Sequence, residues 1–127
     1  MWIYNETDDF IKSADKIDLS DQVRESIRQW AKDLRRTQTN KTKLYFRSPS
    51  QVFEIWTARI PDPESNRGAS GGFRLTYFFV LNELAVHMGQ IEYRKKVGFK
   101  KERPKDKQRY EKYLRELKNY LMHELET

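Results

Sequence analysis

The chain has 127 residues, no cysteine and a formal net charge of +6, a length suited to one domain over 1–127 built around a single hydrophobic core. The lack of cysteine excludes disulfides, thiolate catalysis and cysteine-bound zinc, and fits a reducing compartment. No apolar run approaches the ~20 residues of a membrane span, and the acidic start MWIYNETDDF lacks the basic region of a signal peptide, so a cytoplasmic protein without membrane attachment is expected.

Trp2 to Tyr4 reads as a short opening strand, and Phe10, Ala14 and Ile17 recur at helical spacing in a first short helix. Ser20 is placed to cap a second helix. Its stripe, Val23, Ile27, Trp30, Ala31 and Leu34, ends in Arg35 and Arg36, where cations suit the helix C-terminus. Residues 37–42 are polar and turn-like, and Lys43 to Arg47 alternates as a short strand stopped by Ser48 and Pro49. Val52 to Ile60 and Gly72 to Leu81, rich in β-branched and aromatic residues, make the two strands of a hairpin. Their linker holds Pro61, Pro63, Gly68 and Gly71, which break strands and make the loop long. A further strand is expected from about Val86 to Lys95 despite Gly89 in its middle. Val97 to Lys105, with Gly98 and Pro104, reads as a loop that orders on contact. From about 106 to 125, Tyr110, Tyr113, Leu114, Leu117, Tyr120, Leu121 and Leu125 mark an amphipathic C-terminal helix.

This order predicts an α+β fold: an antiparallel sheet of about four strands, two N-terminal helices and a C-terminal helix, with the helices mostly on one side. In the second hairpin strand, Phe73, Leu75, Tyr77, Phe79 and Leu81 share one face and are expected against the helices. Arg74 would then project from the opposite, open face. On the first hairpin strand both faces carry large apolar residues, and alternation leaves the inward set undecided.

Three arginines surround the glycine-rich turn: Arg67 in the loop, Arg59 and Arg74 at its bases. A guanidinium presents a fixed fork of donors suited to phosphate, so their convergence would form an anion site. Arg94 to Lys118 adds 12 Lys/Arg against 4 Asp/Glu, which is +8 and leaves −2 for the rest of the chain. Such local basicity fits a solvated helix face or a polyanion surface. Its place beside the arginine hairpin favours RNA, with Arg94, Lys96, Lys100, Lys101, Arg103, Lys105 and Lys107 as candidate contacts.

A strand, a glycine-rich turn with SGG, an aromatic residue, Arg, two residues and Tyr together resemble the signature of RelE/HigB-type toxins of the RelE/ParE superfamily. The matching residues are Arg59, Gly68, Ser70, Gly71, Gly72, Arg74 and Tyr77; a weaker match is Tyr93 and Lys95 in IEYRKK. The chain departs in carrying Ala69 where that family often has Lys, and in its longer C-terminal helix. The resemblance implies a RelE/ParE-like fold and a ribosome-dependent mRNA endonuclease without cofactor or metal. It also implies that a cognate antitoxin neutralises the chain in a hetero-oligomer. Two alternatives stay open: a gyrase-poisoning toxin of the same fold, and a catalytically inactive nucleic-acid or protein-binding domain.

Metal-free RNA cleavage needs a base for the ribose 2′-OH, stabilisation of charge at phosphorus and an acid for the 5′ oxygen. On this reading Arg74 is the phosphate clamp and Arg59 and Arg67 are stabilisers. Lys95 or Tyr93 handles protons, with Arg94 in reserve. The Tyr110, Tyr113, Leu117 and Tyr120 stripe is the expected antitoxin face, with packing on the chain's own sheet as the plainer use of the same helix. His87 reads as a structural histidine and His123 as a partner of the helix dipole.

Overall fold

In the computed structural model, residues 1–34, 41–63, 72–94 and 102–126 are described. The elements run β1 (Ile3–Glu6), α1 (Asp8–Lys16), α2 (Asp21–Lys32), β2 (Thr42–Arg47), β3 (Phe53–Ile60), β4 (Phe73–Val80), a 3-10 turn at Leu81–Glu83, β5 (Ala85–Tyr93) and α3 (Pro104–Leu125). Among the described residues, no helix is long and apolar enough to cross a membrane.

Local chemistry sets the helix starts. The Thr7 hydroxyl accepts the Phe10 N–H and Ser20 accepts that of Val23, each at 3.2 Å, so both N-terminal helices begin on a side-chain cap. α3 starts at Pro104, two residues before the expected start at 106, because proline suits the first helical position, where an N–H would have no partner. Thr7 also donates to the Met88 carbonyl at 2.8 Å, fastening α1 to β5.

The α+β class holds, but the sheet has five strands and is mixed, in the order β1-β5-β4-β3-β2. The expected antiparallel sheet of about four strands omitted the parallel pairing of Ile3 to Glu6 with Ala85 to Met88. β1 fills the free edge of the last strand, a contact between segments far apart in sequence that no local pattern encodes. The β4–β5 register shifts between Thr76 and Tyr77, where Thr76 faces Gln90 and Tyr77 faces Met88, so Gly89 is the extra residue of a bulge. The glycine that argued against a strand is the residue such a bulge suits.

Helices cover both faces of the sheet rather than one. On the first face, Phe73, Leu75, Tyr77 and Phe79 pack with Trp56, Ala58, Val86, Met88 and Ile91 against Phe10, Ala14, Val23, Ile27 and Ala31 of α1 and α2, as the alternation predicted for β4. On the second, Phe53, Ile55, Phe78 and Val80 meet Leu114 and Leu121 of α3. The face expected to be open is therefore roofed by the C-terminal helix. Phe78 and Val80 share it with Arg74, and their apolar surface needs a cover. Glu54, fully buried among the first layer's strands, is held by Arg47 at 2.7 Å and the Trp56 indole at 3.1 Å.

Candidate functional site

Arg59 and Arg74 stand directly opposite each other in the β3–β4 ladder, an arrangement that costs free energy unless other charges offset it. Arg94 follows the end of β5, and its backbone N–H donates to the Gly72 carbonyl at 3.0 Å. Burial, and then the like charges of Arg59 and Arg74, lower the Arg94 pKa. Three guanidiniums are thus brought to one end of the sheet.

They line a cleft of about 720 Å³ between β2, β3 and the first turns of α3. Among the described residues its walls carry six cations, Lys41, Lys43, Arg59, Arg74, Arg94 and Lys107, against Glu102 and Glu111. Tyr45 adds exposed aromatic surface, while the Tyr110 ring is covered by Arg74. A basic channel beside an aromatic side chain suits a single-stranded nucleic-acid backbone, phosphates on the cations and a base on the ring.

Arg74 is not the exposed clamp expected of it. Its side chain is 13% exposed and ion-paired to Glu102 at 2.8 Å and Glu92 at 3.4 Å. Its guanidinium carbon lies 4.0 Å from the centre of the Tyr110 ring, a cation–π contact worth ~0.5–2 kcal/mol. Burial disfavours its charge, but the Glu102 hydrogen bond and carboxylate outweigh this and leave its pKa raised. The reason is α3, which roofs this face and brings Tyr110 and the preceding Glu102 over Arg74. Arg59, by contrast, is exposed.

Glu92, which reading by sequence passed over, is the cross-strand partner of Arg74. Burial raises its carboxyl to about 7, with Glu102 and Asp106 pushing the same way and Arg74 and Arg109 opposing. Plain alternation groups Glu92 with Val86 and Met88; the bulge at Gly89 moves it to the Arg74 face, and neither the bulge nor the pairing is visible without the register.

Tyr93 is 38% exposed and stacked on Phe73 at 5.1 Å between ring centres. Tyr77, matched to the motif, is 1% exposed in the core beside Trp30 and Phe79. Arg67, Lys95, Lys96, Lys100 and Lys101 lie outside the described residues. Of the remaining basic candidates, Lys107 lines the cleft and Lys105 is exposed. Arg103 is instead bound to Asp106 at 2.8 and 3.3 Å, so much of its charge is met within the chain.

The tyrosine stripe is largely consumed by the fold. Tyr110 is hydrogen-bonded to Thr57 and Thr76, and Leu117 packs on the second core cluster. The Tyr113 hydroxyl is buried without a hydrogen-bond partner. Tyr120 alone of the four is strongly exposed, at 61%. An apolar helix stripe covers the nearest apolar sheet first, so three of these residues are anchors for α3 rather than an open partner face. His87 stacks on Phe78 at 4.8 Å; the Asn5 amide donates to its Nδ1 at 2.9 Å, and burial lowers its pKa.

Comparisons with protein-family models, with curated proteins and with solved structures find no match to this chain.

Proposed function

We propose that the basic cleft binds the backbone of RNA and that the chain is a RelE-like toxin of a toxin–antitoxin pair, cutting messenger RNA on the ribosome without a metal. The observation that carries this reading is the direct opposition of Arg59 and Arg74 with Arg94 beside them. Glu92 and Glu102 already offset the charge of Arg74, so a phosphate entering the cleft would meet the guanidiniums of Arg59 and Arg94 that line it beside Arg74.

In the proposed reaction a ribose 2′-OH loses its proton and attacks the adjacent phosphorus, and the P–O5′ bond breaks. The products are a 2′,3′-cyclic phosphate and a 5′-OH. Arg59 and Arg94 stabilise the charge that develops on the phosphoryl oxygens. Arg74 acts from behind them as a fixed positive charge, and proton transfer falls to Tyr93 or Lys95. An acidic antitoxin segment is charge-complementary to the cleft and would mask it. The RelE/ParE-like fold and the cytoplasmic setting belong to the same proposal.

A second reading is favoured by the two carboxylates on Arg74: an RNA-binding domain without catalysis. Translation reactions with and without ribosomes, followed by end-group analysis, separate the two. Fragments ending in a 2′,3′-cyclic phosphate support cleavage, and salt-sensitive RNA binding without fragments selects the second reading. Products with a 5′-phosphate, or neither binding nor cleavage, would overturn the proposal.

A further inference from the structure

α3 has grooves of opposite charge on its two flanks. Opposite the basic cleft, a groove of about 970 Å³ runs between α3 and α1, floored by β4 and β5. Its α3 wall extends from Tyr113 to Leu125, which at 1.5 Å per residue is ~18 Å, the length of about three turns of a docked helix. Phe78 and Val80 line the floor and Leu117, Leu121 and Leu125 the wall, with exposed Tyr120 beside them.

The rim is acidic in a chain whose net charge is +6. Among the described residues, Asp8, Asp9, Glu83, Glu116 and Glu124 line the groove against Lys12 and Lys16, five anions to two cations. They come from α1, the 3-10 turn and α3, so separate parts of the chain converge to give one sign of charge. His87, whose pKa burial lowers, contributes no positive charge at neutral pH. Nucleic acid is repelled from such a surface.

We infer that this groove docks a cationic amphipathic helix of a partner protein, its leucine-like side chains on the apolar floor and its lysines or arginines on the acidic rim. A helix fits better than a strand because the floor is a sheet face, not an edge. No backbone ladder is on offer there, and recognition must come from side chains entering between two helices. The charge pattern supplies steering and selects the sign of the partner. The inference stands independently of the RNA reading, since the described residues lining the two grooves do not overlap.

The test is fluorescence anisotropy of the full chain with two labelled helical peptides, both with Leu at alternating steps of three and four. One carries Lys at the flanking positions and the other Glu. The Lys peptide is expected to bind saturably and more weakly as salt rises, while the Glu peptide does not enter this groove. The double change Glu116→Lys with Glu124→Lys, both at exposed positions, should weaken the Lys peptide about tenfold or more, equal to ~1.4 kcal/mol. Lys43→Glu on the other flank should not weaken it. No saturable binding of the Lys peptide, or an affinity unmoved by the double change, overturns the inference. So does a self-association of the chain, seen by sedimentation, that the double change abolishes, because the occupant would then be a second copy.

Discussion

The hydroxyl of Tyr113 lies 2.9 Å from the point where a Cβ on Gly89 would stand, and the Thr76 carbonyl oxygen lies 3.2 Å from it. α3 therefore rests its phenol in the notch that the β5 bulge opens. Gly89→Ala should destabilise the fold by about 1–3 kcal/mol through overpacking. Tyr113→Phe removes a buried hydroxyl without a partner and should be neutral or stabilising by up to about 1 kcal/mol. The pair should couple: in urea titrations, part of the Gly89→Ala loss should vanish in the Tyr113→Phe background. Strict additivity would show that the Cβ displaces the sheet rather than the phenol.

The raised carboxyl of Glu92 has a consequence for stability. Its folded pKa is about 7 against an ordinary 4.5, so between those values the folded chain holds a proton that the unfolded chain has released. Stability therefore falls as pH rises through this window, and the penalty is complete above it. Glu92→Gln removes the ionisation. After discounting for partial exposure and for the lost attraction to Arg74, it should stabilise by about 1–2 kcal/mol at about pH 8 and by almost nothing near pH 4. Denaturation at the two pH values checks this; a gain of equal size at both would assign it to packing.

Much of the first layer was legible in the sequence because its signals are local. Ser20 and the Val23, Ile27, Ala31 stripe follow cap chemistry and helical period, and the Phe73 to Phe79 set follows the two-residue period of a strand. The second layer had a signal too, since Phe78 and Val80 of β4 and Phe53 and Ile55 of β3 leave an apolar face that something must cover. Reading that face as open moved Arg74 from the interior to the surface. The β1–β5 pairing and the Arg74, Glu92 and Glu102 cluster join residues far apart in sequence. They depend on strand order, which composition and period do not carry.

Arg74 and Arg59 should part company on substitution. Arg74→Ala breaks two ion pairs and the Tyr110 contact, leaving Glu92 and Glu102 without their shared partner. A loss of about 1–3 kcal/mol is expected, visible as a lowered urea midpoint. Arg59 is exposed, and Arg59→Ala should leave the midpoint near wild type while reducing RNA cleavage by ~100-fold or more, as the loss of one transition-state donor does. Arg59→Ala therefore tests the active-site proposal without a stability confound. Full cleavage by a well-folded Arg59→Ala chain would remove Arg59 from the site.

The cleft and the first turns of α3 make different predictions for salt dependence. Lys43, Arg59 and Lys107 line the cleft, whereas Arg103 spends much of its charge on Asp106. Each single-strand phosphate contact contributes a slope of ~0.7 in log K against log salt. Neutralising Lys43, Arg59 and Lys107 together should flatten the slope for a single-stranded RNA by about 2, while Arg103→Gln should change it little. Titrations of a labelled RNA across a salt series read both effects directly. A slope that falls with Arg103→Gln but not with the triple change would move the RNA path off the β2–β3 cleft and onto the start of α3.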